Sequence, residues 1–366
     1  MTRQVLSINC GSSSLKYALF AVDADGERPI ERGVVDRIGS RVPTHAAAVD
    51  EALAALEKAA RPAPQAVSHR IVFGGTKHRA PALADQTMLA DLRALVVLAP
   101  LHLPPEIEAI DAVARRWPSV PQVACFDTAF HATLPEAAWR YALPASVGSD
   151  VRRYGFHGIS CEYVVVTLGA AATRGRVIVA HLGSGASLTA VKDGVSVDTT
   201  MGFTPTGGLV MGTRPGDLDP GLVLHLLRSG YDAERLQRLF DVESGLLGLS
   251  ETTADVRDLL ARRATDPRAA LALDVFCFSA RRWIGAMAAS LGGLDTLVFT
   301  GGIGEHSAEM RADIARGLEH LGVRLDVKRN GRGDTLVSTD GAPCAVRVIA
   351  TDEERMLARH AGALLG

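Results

Sequence analysis

Two segments half a chain apart share one pattern, and this internal repeat is the strongest constraint on the fold. QVLSINCGSSSLKYALF (4–20) and RVIVAHLGSGASLTAV (176–191) both contain an apolar strand, a polar residue, a turn of glycine and serine, and a second strand. Gly183 follows Gly11 by 172 positions (183 − 11), close to half of the 366 residues. The repeat predicts a duplicated chain whose halves each direct a glycine-serine hairpin into a shared cleft.

Elsewhere strand and helix signals alternate, which is typical of an α/β architecture. Thr44 begins an alanine-rich helix, a proline opens the helix PPEIEAIDAVARRW, and Asp127 ends the apolar strand in PQVACFDTAF. A third glycine turn, in TLVFTGGIGEHS, interrupts a strand at Gly301 and Gly302, and we expect a helix to start near His306. The acidic residues of TDEE favour the start of a final helix.

Composition limits the classes of partner. Apolar residues make up 47% of the chain and charged residues 22%, with a net charge of −2. This balance gives no general attraction to nucleic acid or to an anionic membrane, so we expect a small partner and local anion sites. The five cysteines contain no C-x-x-C pair, and no apolar stretch reaches the roughly 20 residues of a membrane span. We therefore expect a cytoplasmic protein.

The glycine-serine turns suit phosphate. Glycine lets successive N–H groups converge and lets an anion approach the backbone closely, while serine hydroxyls add donors. None of the turns is a G-x-x-x-x-G-K-[ST] loop, and none has the spacing of a dinucleotide fingerprint. A nucleotide held between two duplicated domains is therefore the better interpretation.

An ordered set of motifs resembles the acetate kinase family, within the superfamily of actin, sugar kinases and heat-shock chaperone ATPases. The motifs are NCGSSSLK, SHRIVFGG, FDTAFH, RRYGFHGIS, HLGSGAS, DTTMGFTP, MGTRPGDLDP, FTGGIGEHS and TDEE. Several are loose individually, but their order along the chain is highly specific.

The resemblance implies an α/β fold of two duplicated ribonuclease H-like (actin-like ATPase) domains with a nucleotide cleft between them. Residues 1–147 and a returning helix, 354–366, would form one domain, and residues 148–353 the other, which would carry the nucleotide and the dimer contact. The implied reaction is reversible in-line transfer of the ATP γ-phosphoryl group to acetate, giving acetyl phosphate and ADP. Mg²⁺, with Mn²⁺ as an alternative, and a homodimer are also implied. A propionate or other short-chain acid kinase, or a weakly active member with another phosphoryl donor, stays open.

The chemistry of a carboxylate acceptor agrees with this resemblance. A small carboxylic acid is already ionised at neutral pH, so its oxygen can attack phosphorus without a catalytic base. What the protein must supply is charge neutralisation, because two anions meet in line. Arginines and a metal ion provide it, and an arginine can grip carboxylate or phosphoryl oxygens in a planar fork.

The resemblance also assigns the site residue by residue. The catalytic residues would be Arg70, Asp127, His157 and Arg214, of which His157 and Arg214 would stabilise the transition state. The acceptor would contact Arg70, Val72, Leu101, Phe156 and Pro205. The nucleotide would contact Ser14, Lys16, His181, Leu182, Gly183, Ser184, Gly185, Gly301, Gly302, Ile303 and Gly304. Asn9 and Glu353 would hold the metal, directly or through water.

Three positions depart from the family pattern, and two other classes of function stay open. Ser184 and Leu103 stand where the family usually has asparagine, and Phe73 where it usually has histidine. A sugar kinase of the same superfamily would need an aspartate base, for which Asp127 is the candidate, but the nearby arginines favour an anionic acceptor. A non-catalytic ATPase that uses nucleotide to move its domains would turn over ATP without an acceptor.

Overall fold

The computed structural model describes residues 2–11, 13–61 and 63–366, and its strands form two sheets. The strands of the first sheet are β1 (Arg3–Cys10), β2 (Ser14–Asp23), β3 (Gly26–Asp36), β4 (Ala66–Ile71), β5 (Ala82–Leu83) and β6 (Gln122–Phe126). Those of the second are β7 (Arg176–Leu182), β8 (Ala186–Lys192), β9 (Val195–Thr199), β10 (Thr296–Thr300) and β11 (Ala345–Val348).

Helices fill most of the chain between these strands. They are α1 (His45–Lys58), α2 (Gln86–Leu95), α3 (Leu103–Arg116), α4 (Glu136–Trp139), α5 (Gly158–Thr173, kinked at Gly169), α6 (Pro220–Arg228), α7 (Ala233–Arg238), α8 (Gly245–Ser250), α9 (Val256–Arg262), α10 (Pro267–Leu291), α11 (Gly301–His306), α12 (Ala308–Ala315), α13 (Val327–Arg332) and α14 (Glu353–Leu365). Short 3₁₀ turns lie at Val96–Leu98, Ala129–Thr133, Ala145–Val147 and Glu319–Leu321, and a π turn at Leu239–Glu243. None of the helices in the described ranges combines the length and the apolar character that a membrane crossing requires.

The two sheets have the same topology, which confirms the duplication predicted from the repeat. The strand order is β3-β2-β1-β4-β6 in the first sheet, extended by β5, and β9-β8-β7-β10-β11 in the second. In each, three antiparallel strands joined by hairpins come first, and two parallel strands are added on the other side. Each glycine-serine turn joins the first two strands of its sheet.

Strand alternation builds a core on each face of the first sheet. Successive side chains of a strand point to opposite faces, so Leu6 and Ile8 of β1 pack with α1 and α3, while Val5 faces α14. Thr44 caps α1 by accepting from the Ala47 N–H at 3.1 Å, and Asp352 caps α14 by accepting from the Arg355 N–H. Both helix starts predicted from the sequence are confirmed.

The helix predicted to start near His306 is α12, which begins at Ala308 with Ser307 as its N-cap. A further short helix, α11, starts directly after β10 at Gly301 and was not predicted from the sequence. The glycines indicated an open turn, but Gly301 begins this helix with φ +75°, and a Cβ there would lie 2.8 Å from the Leu182 carbonyl oxygen on the sheet.

The chain divides into two compact units. Unit 1 contains Met1–Ala132, Phe156–Tyr163 and Asp352–Gly366, and unit 2 contains Thr133–Gly155 and Val164–Thr351. The final helix α14 therefore belongs to unit 1, where it packs against β1 and β2. The domain boundaries predicted from the sequence stay a prediction.

Candidate active site

Arg70 and Asp127 form a buried ion pair at the edge of the unit 1 sheet. Arg70 is the penultimate residue of β4 and Asp127 follows β6, and these parallel strands pair in register, so their carboxyl ends meet at one edge. The Arg70 Nη2 lies 2.5 Å from the Asp127 Oδ2, and the Arg70 Nε lies 3.1 Å from each carboxylate oxygen. The Asp127 side chain is 1% exposed and that of Arg70 16%, so Arg70 is the more accessible member of the pair. A planar guanidinium is suited to bind an anionic substrate.

Two backbone N–H groups of the YGFHG segment donate hydrogen bonds to Asp127. The backbone N–H of His157 donates to the Asp127 carboxylate, and the Gly158 N–H donates to the Asp127 carbonyl oxygen at 2.9 Å. His157 has a left-handed backbone (φ 58°), an uncommon conformation for a residue with a side chain. Burial raises the pKa of Asp127, and contact with the Arg70 guanidinium opposes that rise.

Asn9 connects this pair to the start of α14. Its Oδ1 accepts from the Arg70 Nη1 at 3.2 Å, and its Nδ2 donates to the Glu353 Oε2 at 2.9 Å and to the Glu354 Oε1 at 3.1 Å. The Glu353 carboxylate also lies 3.8 Å from the Arg70 Nε. Glu354 was not singled out from the sequence, although the second glutamate of TDEE was the available signal.

These carboxylates are the candidate donors for a metal. Burial raises the pKa of Glu354, and the neighbouring Glu353 raises it further, so a cation beside them would relieve their repulsion. Mg²⁺ needs only one or two carboxylates when nucleotide phosphates and water complete its shell. Across residues 2–11, 13–61 and 63–366, no cluster of three or more His, Cys, Asp and Glu side chains could hold a metal alone. A metal at these carboxylates would therefore need further ligands from outside the side chains of the described residues.

Lys16 and Ser14 border the same edge. Lys16 is directly opposite Asn9 in the β1–β2 ladder, its side chain is exposed, and its charge lowers the pKa of Glu354 against the rise caused by burial. Ser14 closes the first hairpin, where its carbonyl accepts from the Gly11 N–H at 2.8 Å.

Two residues of the predicted acyl pocket are buried in unit 1. Val72 and Phe156 are buried, at 4% and 2% exposed, and the Phe73 ring stacks on Phe156 with 6.1 Å between centroids. Phe73, one of the departures from the family pattern, thus packs against one of the predicted pocket residues. Leu101 lies outside the core, 46% exposed, in the turn before α3.

Unit 2 brings its own glycine segments together. The Gly183 N–H donates to the Gly185 carbonyl at 2.9 Å, and a Cβ at Gly183 would lie 3.9 Å from the Gly302 nitrogen. Gly301 has φ +75°, and a Cβ there would lie 2.8 Å from the Leu182 carbonyl oxygen. The turn at 183–185 is therefore adjacent to the start of α11, as two phosphate- and nucleoside-binding segments would need to be.

Glu305 connects the start of α11 to the segment before α14, and it was not identified from the sequence. Its Oε1 accepts from the Gly301 N–H at 2.8 Å and from the Thr351 N–H at 3.0 Å. A glutamate four residues after a glycine at a helix start was the only sequence signal. His181 is the penultimate residue of β7 and is half-buried, whereas the Ser184 side chain is exposed.

Arg214 and Pro205 lie together in unit 2. The Arg214 Nη1 donates to the Pro205 carbonyl oxygen at 3.0 Å and lies 3.8 Å from the Met211 Sδ. The MGTRPG loop also contacts the glycine turn, because the Gly212 N–H donates to the Ser184 carbonyl at 3.0 Å. The structure thus brings Arg214, Pro205 and the turn at 183–185 into one region of unit 2.

Comparison with known proteins identifies the family to which this chain belongs. The model of the acetokinase family matches residues 39–359. The chain belongs to the acetokinase family. It is 47% identical to the acetate kinase of Micrococcus luteus over 97% of both chains. Crystal structures of Porphyromonas gingivalis acetate kinase and a Francisella tularensis propionate kinase superpose with TM-scores of 0.89 and 0.88, each at 34% identity and covering 98–100% of both chains.

Membership of the acetokinase family confirms the recognition made from the motifs. Acetokinases are phosphotransferases that act on a carboxylate acceptor, within the two-domain actin-like ATPase fold. The matching strand orders of the two sheets agree with that fold. The roles of individual residues stay predictions.

Proposed function

We propose that this protein is an acetate kinase that transfers the ATP γ-phosphoryl group reversibly to acetate, giving acetyl phosphate and ADP. The observation that carries the proposal is the Arg70–Asp127–Asn9 cluster, at a position matching the family motif, in a chain 47% identical to a relative named acetate kinase. In-line attack by acetate needs no general base, because the acceptor is ionised. This agrees with an Asp127 that is already bound by a guanidinium.

The arginines would neutralise the meeting anions. Arg70 would bind the acetate carboxylate, while Arg214 and His157 would stabilise the charge that develops on the transferring phosphoryl group. Val72, Leu101, Phe156 and Pro205 would surround the methyl group. Ser14, Lys16, the turn at 181–185 and residues 301–304 would hold ATP or ADP.

Mg²⁺, or Mn²⁺, would bind at Glu353 and Asn9 and neutralise the phosphate oxygens. Glu354, which shares the Asn9 amide with Glu353, would support the same cation. The raised pKa of Glu354 supports this assignment, since a cation would remove the repulsion that burial intensifies.

The exposed leucines of α6 support a homodimer. Leu222, Leu224 and Leu227 are 42%, 50% and 44% exposed, and no residue of α6 is buried. Contiguous exposed apolar side chains commonly mark protein interfaces, and a two-fold homodimer would bury the same helix of both copies.

Propionate is the second candidate acceptor, because a structural relative at 34% identity is named a propionate kinase. One methylene in an apolar pocket changes discrimination by only about 1–3 kcal/mol. The enzyme would therefore use the same mechanism with acetate and propionate and would differ only in its preference between them.

Hydroxylamine trapping of the acyl phosphate tests the function. Purified protein with ATP and Mg²⁺ would be incubated with acetate, propionate or butyrate, and without an acceptor. We expect hydroxamate from acetate at the highest kcat/KM and no ADP release without acceptor. GTP and pyrophosphate in place of ATP would identify the donor. ATP hydrolysis independent of any carboxylate would contradict the proposal and favour a non-catalytic ATPase.

A further inference from the structure

Glu106 is a buried carboxyl group that the proposed mechanism does not use. It lies in the first turn of α3 and is 1% exposed. Both of its carboxyl oxygens accept from one donor, the Val72 N–H, at 3.2 and 3.1 Å. Among the described residues no other hydrogen-bond donor and no ion-pair partner contacts it.

The location connects Glu106 to both parts of the acceptor site. Glu106 accepts from the backbone N–H of Val72, a residue of the proposed acetate pocket. Arg70 lies two positions before Val72, near the end of β4. Arg70 and Asp127 are within electrostatic range of the Glu106 carboxyl. A charge on Glu106 would therefore act on the guanidinium that is to bind acetate.

The charge balance of the cluster is unfavourable for an anion site if every carboxyl group is ionised. One guanidinium, Arg70, would face three carboxylates, Asp127, Glu353 and Glu106. Glu354 lies beside Glu353, with the charge of Lys16 nearby. A cation bound with the nucleotide can neutralise Glu353 and Glu354, but Glu106 lies on the α3 side, behind Val72. An isolated carboxylate that is removed from water and has one neutral donor is strongly disfavoured, so it takes up a proton instead.

We propose that Glu106 is a positioning residue that acts as a neutral carboxylic acid. In this form it holds the Val72 amide without adding negative charge beside Arg70, and its ionisation at alkaline pH weakens acetate binding. The inference rests on the proposed function, because acetate is taken as the ligand of Arg70. Burial, which raises the pKa of Glu106 well above its usual range against the opposing charge of Arg70, supports it.

The other ionisable groups on the elements packed around α3 have contacts of their own. Cys10, at the end of β1, has a thiol whose pKa is raised by burial and then by Glu106, so it stays neutral. On α2, Asp91 pairs with Lys77 and His78, and Arg93 pairs with Asp111. On α1, His45 hydrogen-bonds the Gly11 carbonyl and Glu57 pairs with Arg116. His102 precedes α3, and its carbonyl oxygen accepts from the Glu106 backbone N–H at 3.4 Å.

The first experiment compares the pH profiles of the KM for acetate in wild type and Glu106→Gln. Glutamine keeps the oxygen that accepts from Val72 and cannot ionise. From about pH 6 to about pH 9 we expect the wild-type KM to rise by about tenfold and the Glu106→Gln KM to change less than about twofold, with similar values at the acidic end. Asp111→Asn, which removes a carboxylate from the partly exposed face of the same helix, should retain the wild-type profile.

Three results would overturn the inference: a flat wild-type profile, an unchanged rise in Glu106→Gln, or a Glu106→Gln variant whose acetate KM is high at every pH. Failure of the proposed function itself gives a different result, because no variant would then form acetyl phosphate.

Two measurements keep the inference testable without turnover. Thermal unfolding should show Glu106→Gln gaining stability over wild type as the pH rises above the usual glutamate pKa, because unfolded wild type releases a proton that the native state retains. If this variant does not fold, calorimetry of acetate binding to wild type in buffers of different ionisation enthalpy measures proton uptake. Uptake at the alkaline end supports the inference, and its absence overturns it.

Discussion

Arg70 has a structural role as well as the catalytic one assigned to it. It is the hydrogen-bonded cationic partner of Asp127, which is otherwise almost completely buried, and it also binds Asn9. Breaking a buried pair by removing one partner costs more than the pair contributes, because the remaining charge is left unpaired. Arg214 differs, since it is only partly buried and donates to a carbonyl group.

Arg70→Ala should therefore lose both turnover and stability, by roughly 3–5 kcal/mol of unfolding free energy. Arg214→Ala should lose turnover with a much smaller loss of stability, because its strongest contacts would form in the transition state. Urea unfolding of the ligand-free variants, beside hydroxamate rates, separates the two effects. Wild-type stability in Arg70→Ala, or unchanged turnover in either variant, would contradict this division.

Val72 should limit the size of the acceptor. Val72→Ala enlarges the pocket by two methyl groups, so we expect the propionate-to-acetate ratio of kcat/KM to rise by about tenfold. Val123→Ala makes the same truncation at a fully buried position of β6 and should lower stability without changing the ratio. Equal ratios in wild type and Val72→Ala would remove Val72 from the pocket.

At the scale of elements, the site depends on the close approach of the first residue of α5 to the residue that follows β6. Gly158 begins α5, and a Cβ there would lie 2.2 Å from the Asp127 carbonyl oxygen and 2.9 Å from the Phe130 Cβ. Only a residue without a side chain allows this approach. The same approach lets the His157 N–H reach the Asp127 carboxylate.

Gly158→Ala should consequently reduce turnover at least tenfold and destabilise the protein, because α5 must move away from Asp127. Gly285→Ala is the matched control, since Gly285 lies inside α10 with nothing within 4 Å of an added Cβ. That change should stabilise the helix by up to about 1 kcal/mol. Thermal unfolding and hydroxamate rates measure both, and a fully active Gly158→Ala would argue against the described backbone arrangement.

Two buried histidines make unit 1 sensitive to acid. Burial lowers the pKa of His69, on β4, and of His131, after β6, to about 4 in each case. Their unfolded pKa is about 6.5, so each contributes stability that is complete above that pH and is lost as the pH falls toward 4. The loss is up to roughly 3 kcal/mol for each histidine.

We therefore expect the unfolding midpoint to fall steeply between about pH 6.5 and about pH 4. His69→Gln, which cannot be protonated, should flatten this dependence while keeping a hydrogen-bonding side chain near Gln122. Calorimetry between about pH 4 and about pH 6.5 would measure the unfolding midpoints of wild type and His69→Gln. A parallel decline in wild type and variant would assign the acid sensitivity to other groups.

For the whole molecule, the open question is subunit number. The exposed leucines of α6 predict that Leu224→Glu combined with Leu227→Glu converts a homodimer to a monomer, because two charges would be buried per copy. Val97→Glu is the control, as Val97 is exposed (79%) but lies in unit 1. Light scattering during size-exclusion chromatography gives the mass, and a monomeric wild type would contradict the proposal.

The sequence alone predicted the duplicated sheets, several helix starts and the family, because the signals for these features are local or repeat along the chain. The repeat at Gly11 and Gly183 predicted two sheets of one topology, capping residues such as Thr44 predicted helix starts, and ordered motifs predicted the family. Each of these depends on neighbours within a few residues or on a comparison along the chain. The start of α11 was missed because glycine favours turns locally, while close packing against a sheet is not visible in the sequence.

Only the tertiary structure decided which side chains meet. Asn9, Arg70, Asp127 and Glu354 are separated by up to hundreds of residues, and they contact one another because parallel strands end at one edge and α14 returns to it. Burial is likewise a property of the folded chain, so the environment of Glu106, an ordinary helical glutamate in the sequence, appears only when α3 packs against Val72. Charge and hydrogen bonding act through space, and the sequence specifies that proximity only through the complete fold.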